Sequence, residues 1–245
     1  MQASLRFLVD NSGTYGIDTN NIIISGKANT KTIDILNTFF GETPISKASN
    51  TNSTFLEPSS TDNSIYIEKK DALQSAIRIG KLMPNKTHKD YFGLQILNTV
   101  LGGYFGSRLM KNIREDKGYT YGIGSGIMSL KEVGYFFIST EVGSDVTQKA
   151  LAEIYKELEI IRTEKIPTEE LELVKNYLLG QLLKSCDGPF NMAALFDSVN
   201  EYGLDYTFYN NYIKTIKEIT PEKLLHLAIK YLAKADLKEV VAGKK

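Results

Sequence analysis

The chain has 245 residues, with hydrophobic residues at 42% and charged residues at 24%, enough apolar material to bury a sizeable core. Lys plus Arg and Asp plus Glu both number 29, so the formal net charge is zero and no basic excess exists to hold nucleic acid through its phosphates. No stretch approaches the roughly 18 consecutive apolar residues that span a bilayer, the N-terminus lacks the pattern of a secretion signal, and a single cysteine excludes an internal disulfide.

In chain order, Asn21 to Gly26 reads as a short apolar strand, Ile22-Ile23-Ile24, closed by glycine. A helix follows from about Thr30 to Phe40, with Ile33, Leu36 and Phe40 on one face and Gly41 as its stop. The stretch from Glu42 to Asn63 is rich in Ser, Thr, Asn and Pro and reads as a linker. Two strands are predicted near Ser64–Lys69 and Gln74–Leu82. Pro84 and Asn85 make a turn, and Thr87 with Asp90 three residues on forms a capping-box-like pair. The helix they open places Leu94, Leu97 and Leu101 on one face and ends at Gly102-Gly103. A short helix covers Ser107 to Arg114.

From Tyr119 to Ile127 the odd positions are Tyr119, Tyr121, Ile123, Ser125 and Ile127, and the even ones are Thr120, Gly122, Gly124 and Gly126. This alternation predicts a strand with one smooth, glycine-bare face. Val133–Val142 pairs with it through a turn near Ser129–Glu132. The remainder is mostly helical. Ser144 caps a helix with Leu151, Ile154, Leu158 and Ile161 on one stripe; Thr168, Glu169 and Glu170 open another with Leu171, Val174 and Leu178. Asp187-Gly188-Pro189 breaks the latter. Helices near Phe190–Glu201 and Tyr206–Lys217 come next, then one capped by Thr220-Pro221, then a last strand at Glu239–Ala242.

Ile22-Ile23-Ile24-Ser25-Gly26-Lys27 echoes Glu239-Val240-Val241-Ala242-Gly243-Lys244. In a tandem duplication each would be the closing strand of one half, and the chain would begin inside the first half.

Metal-ligand patterns are absent. The two histidines, His88 and His226, sit in neither His-x-x-Glu-His nor Glu-x-x-His spacing, and read as a surface residue at a helix start and a partly buried helix residue. Cys186 has no His or acid pattern near it and reads as a small helix-end residue. Gly-x-Ser-x-Gly is missing, and the Gly122-x-Gly124-x-Gly126 run lies in a strand pattern and opens no helix, which removes the context for dinucleotide binding.

One constellation remains, running from Gly102 to Gly122 as glycine hinge, short helix, glycine turn and strand. Arg114 ends the helix and Tyr121 lies seven residues on, with Gly118 between them as the turn. A guanidinium and a phenol both donate to a carbonyl oxygen and to an oxyanion developing on it. The spacing alone favours a salt-bridged surface arginine and a core tyrosine over such a pair.

Leu97-Asn98-Thr99-Val100-Leu101-Gly102-Gly103, Ser107-Arg108-Leu109 and Ile113-Arg114-Glu115-Asp116-Lys117-Gly118-Tyr119-Thr120-Tyr121 resemble the second-half signature of the pitrilysin/insulinase zinc peptidases. Tyr91-Phe92-Gly93-Leu94 and the closing strand fit the same frame. The resemblance implies an α+β half-domain of the LuxS/mitochondrial-processing-peptidase-like kind, a mostly antiparallel sheet packed against helices. It further implies that residues 1–43 close a preceding half-domain, 44–63 link, and 64–245 form the C-terminal half. In such proteins the first half binds zinc through an inverted His-x-x-Glu-His motif, which this chain lacks. Zinc is therefore expected in a partner half, upstream or on a homologous subunit. By motif match Arg114 and Tyr121 are the residues that hold an unfolded peptide substrate and stabilise the tetrahedral intermediate. The resemblance leaves the bacterial cytoplasm and the periplasm equally open. The alternative from another class is a non-catalytic scaffold subunit on the same fold.

Overall fold

In the computed structural model, residues 62–244 are described, together with Thr30, Lys31, Ile33, Asp34 and Thr38, which are helical. The strand expected at Asn21–Gly26, and with it the first copy of the echo, lies outside the described residues, as does the linker apart from Asp62 and Asn63. The chain divides into two units, one of residues 1–54 with 182–205 and one of residues 55–181 with 206–245.

The second unit is built on a five-stranded sheet. Its strands are β1 (Ser64–Glu68), β2 (Gln74–Met83), β3 (Ile123–Ser129), β4 (Gly134–Gly143) and β5 (Lys238–Gly243), in spatial order β1-β5-β2-β4-β3. Only β1 and β5 run parallel; β5–β2, β2–β4 and β4–β3 are antiparallel. The β3–β4 hairpin arises from the expected turn, where Leu130 N donates to Val133 O at 2.9 Å.

Alternation in β2 and β4 sends Ile77, Ile79, Phe136, Ile138 and Val142 to one buried face. That face meets α1 (Tyr91–Asn98), which continues as a π-helix through Thr99–Gly103, and α3 (Thr147–Thr163). Between them in sequence runs α2 (Met110–Asp116), also π-helical. The stripes read from the sequence are the ones buried: Leu94, Leu97 and Leu101 on α1, and Leu151, Ile154, Leu158 and Ile161 on α3. Each such side chain stabilises the fold by roughly 1.5–3 kcal/mol on removal from water. The remaining helices are α4 (Thr168–Ser185), α5 (Gly188–Asn200), α6 (Thr207–Glu218) and α7 (Pro221–Tyr231). α6 and α7 pack against α1, and α7 also against α3. In the first unit, α5 begins at Gly188, whose φ is +82°, with Pro189 in its first turn.

Several expectations change in detail. Thr87 does not cap α1: its hydroxyl and amide both turn to Asn85 Oδ1, at 2.8 and 3.1 Å, and the helix starts four residues later. Ser144 donates its hydroxyl to Ala72 O at 2.8 Å, and α3 begins after a 3-10 turn at Ser144–Val146. The glycine-bare face of β3 is covered in part, because the Phe137 ring lies where a Cβ on Gly126 would be. His226 is exposed on α7, since its neighbours Leu224, Leu227 and Ala228 take the buried stripe. The Thr220 cap is as expected, accepting from Lys223 N at 3.3 Å.

Candidate substrate-binding site

The site segment begins where α1 runs into the sheet. At Gly102 the helix backbone lies against β3, so that a Cβ there would stand 2.5 Å from Ser125 Oγ and 2.7 Å from Ser125 N. Asn98, 8% exposed, donates its amide to Ser125 O at 3.3 Å, and Gln95 donates to Ile127 O at 3.4 Å. β3 is the last strand of the sheet, so these side chains cover part of its backbone edge.

The loop 104–107 then leads toward α2. Tyr104 stacks on Tyr177 at 4.9 Å between centroids, and burial pushes its hydroxyl above the ordinary tyrosine range, with the Glu170 charge adding to the effect. Arg108 anchors the start of the next turn through a two-pronged bond to Glu170, 2.9 Å from Nε and 2.7 Å from Nη2. On α2, Ile113 is fully buried, which turns its neighbour Arg114 toward the half-exposed side.

Backbone hydrogen bonds tie the end of α2 to the turn after it. Lys117 N donates to Asn112 O and Tyr119 N to Ile113 O, each at 3.0 Å. Gly118 takes φ +64°, a left-handed turn that a side chain would strain. Beyond it Ile123 N meets Met110 Sδ at 3.5 Å. The helix end carrying Arg114 and the strand start next to Tyr121 are thereby packed together.

Tyr121 itself does not lie in the strand, contrary to the alternation read from the sequence. Pairing begins at Ile123, opposite Thr140. Ahead of it Thr120 forms a side-chain knot: its Oγ1 accepts from Gly122 N at 3.1 Å and lies 2.7 Å from Glu141 O and 3.0 Å from Thr140 Oγ1. This breaks the period before Tyr121, whose side chain is 94% exposed. It lines a cleft of about 260 Å³ together with Gln74, Ser139 and Glu141. Arg114 lines neither this cleft nor two larger ones, of about 750 and 490 Å³.

Among the described residues Arg114 makes no salt bridge, one of the arrangements that the spacing allowed. Among the described residues its guanidinium meets one partner, the ring of Phe105, with Cζ 4.7 Å from the centroid. The Tyr121 hydroxyl makes no hydrogen bond among the described residues. Among the described residues no acceptor takes the donors of either group. Sequence reading missed Phe105; its signal was a large aromatic placed between glycines in an otherwise polar loop. It also missed Gln74, Ser139 and Glu141, which come from β2 and β4 and share no local pattern with Tyr121.

Among the described residues, no group of three or more His, Cys, Asp or Glu side chains is placed to hold a metal ion. His88 instead accepts at Nδ1 from Asp90 N at 3.0 Å, and Cys186 is exposed and free. No helix among the described residues is long and apolar enough to cross a membrane.

A mostly antiparallel sheet backed by helices defines an α+β domain. The profile of the peptidase M16 inactive domain matches residues 15–178, more than half of the chain, and the chain belongs to that peptidase family as its inactive-domain half.

Among curated proteins, an uncharacterized zinc protease of Bacillus subtilis is 31% identical over 119 residues, covering 49% of this chain and 29% of that protein. One of Mycobacterium leprae is 25% identical over 171 residues, covering 69% and 38%. The chain thus spans well under two thirds of the length of these relatives. Among solved structures, a peptidase M16 inactive domain from Pseudomonas fluorescens superposes with TM-score 0.69 at 23% identity, over 74% of this chain and 43% of that one. A protease from Helicobacter pylori gives TM-score 0.73 at 19% identity, over 89% and 54%. These likenesses show the fold.

Proposed function

We propose that this chain is the substrate-binding half of a zinc-dependent peptidase, with residues 64–245 as the C-terminal half-domain, 44–63 as linker and 1–43 closing a preceding half. The zinc-bearing half lies elsewhere, in the same polypeptide or on a homologous subunit. The substrate is an unfolded peptide.

One observation carries this reading: Arg114 and Tyr121, which match the family motif, both keep their donors uncommitted among the described residues. A half-exposed arginine beside Glu115 and Asp116 that pairs with neither is held for something outside the domain. Arg114 holds the backbone carbonyl of the bound peptide, and the Tyr121 phenol donates to the oxygen on which negative charge develops. The metal chemistry belongs to the other half.

Kinetics of the assembled enzyme on an unfolded test peptide provide the test. Arg114→Ala and Tyr121→Phe each lower kcat/KM by on the order of 10²–10³ if the lost donor acts as an oxyanion-hole group. Wild-type values for both would reject the reading in favour of a non-catalytic scaffold on the same fold.

A further inference from the structure

We propose that Phe105 is a positioning residue for Arg114, its ring holding the guanidinium by the face so that the N–H edge stays free for the peptide. The inference rests on the role given to Arg114 above.

The geometry is that of a cation over an aromatic ring. Arg114 Cζ stands 4.7 Å from the Phe105 centroid, inside the roughly 6 Å range over which the ring quadrupole attracts a cation. The Phe105 side chain is 63% exposed, so burial in the core does not account for a large apolar group at this position. The loop that carries it is pinned on both sides. Tyr104 is stacked on Tyr177, Ser107 N donates to Tyr104 O at 3.1 Å, Ser107 is buried, and Arg108 is forked onto Glu170. Gly106 leaves the Tyr104 ring room, since a Cβ there would lie 2.8 Å from it. Phe105 thus projects from a fixed loop, and Arg114 projects from a fixed turn of α2.

An aromatic ring suits the donors that the guanidinium has to keep. A carboxylate partner would hold Arg114 more tightly, but it would occupy two in-plane donors and neutralise the charge. A ring face occupies neither, because stacking uses the flat surface and hydrogen bonds use the edge. Arg108 and Arg114 illustrate the contrast six residues apart. Arg108 is consumed by Glu170 and has a structural role, while Arg114 is braced and left open.

The test is a coupling experiment in the assembled enzyme, this chain with its zinc-bearing half, on an unfolded peptide. Phe105→Leu keeps the bulk and removes the ring; it lowers kcat/KM on the order of tenfold, while Phe105→Tyr stays near wild type. In an Arg114→Ala background, Phe105→Leu causes no further loss, because the group it positions is gone. A second readout is independent of rate: the Arg114 Nε–H resonance, shifted upfield by the ring in the wild type, moves to the position of an unstacked arginine in Phe105→Leu. Wild-type kinetics or an unmoved resonance in Phe105→Leu, or a full additional loss in the Arg114→Ala background, overturns this inference alone. Arg114→Ala at the wild-type rate overturns it together with the proposed role of Arg114.

Discussion

Arg114 and Tyr121 are side chains that make no hydrogen bond among the described residues, and the chain around them shows how a fold can keep them so. Arg114 is braced by a ring, and Tyr121 is thrown out of the ladder by the Thr120 knot. Asp90 shows the opposite arrangement, a charge fully committed to structure. It is 8% exposed and accepts from Lys230 Nζ at 2.9 Å and Tyr231 Oη at 2.8 Å, joining the start of α1 to the end of α7. Burial pushes its carboxyl up, but the bonds from Lys230 and Tyr231 and the Lys230 charge outweigh burial and hold it at about 2. A carboxyl lowered in the folded state contributes stability that is fully present above its unfolded value near 4 and is lost as pH falls through about 2. Asp90→Asn therefore lowers the melting temperature at pH 6 by the equivalent of about 1 kcal/mol, moderated by the half-exposure of Lys230. The gap between variant and wild type closes as the melts are repeated toward pH 2; a gap of constant size would refute the assignment.

The same residues show what the sequence could disclose. The motif named Arg114 and Tyr121 because their spacing is local. Phe105 against Arg114 is also close in sequence, but nothing in a residue string says that an aromatic faces a cation. The Asp90–Lys230 pair spans 140 positions, and Asp90 reads from the sequence as part of a cap for α1.

Among the elements, the strands and helices of the second unit were legible wherever one face is buried, because burial enforces a period. The three leucines of α1 and the four apolar residues of α3 are examples. Boundaries were lost where side chains bond the backbone locally. Asn85 takes Thr87, Ala72 O takes Ser144, and Thr120 ends the alternation before Tyr121. The π-helical turns at Thr99–Gly103 and Met110–Asp116 leave no periodic trace over so few residues. Close approach of backbone to backbone is equally invisible until the two elements meet. At Gly102 it produces a sharp expectation. Gly102→Ala drives a methyl into Ser125, whose own backbone cannot retreat without opening the contact between β3 and the π-helical extension of α1. The variant loses about 1–3 kcal/mol in urea unfolding. Full stability would mean that the helix-to-strand approach is looser than 2.7 Å implies.

For the whole molecule, the formal net charge is zero and the two histidines stand outside any metal-binding pattern of the sequence. The family match and the fold place it among M16 inactive domains. The antiparallel sheet and its helical backing were foreseeable from the resemblance. The order β1-β5-β2-β4-β3, with β1 parallel to β5, was not, because pairing between strands so distant in sequence is decided by the assembled core. The central claim is that this chain supplies binding groups to chemistry performed elsewhere. Hydrolysis of an unfolded peptide measured for this chain alone, for the zinc-bearing half alone as a separate polypeptide, and for the two mixed addresses it directly. The account predicts activity in the mixture only, falling when the added chain carries Arg114→Ala. Hydrolysis by this chain alone, or full activity of the zinc-bearing half without it, would contradict the account.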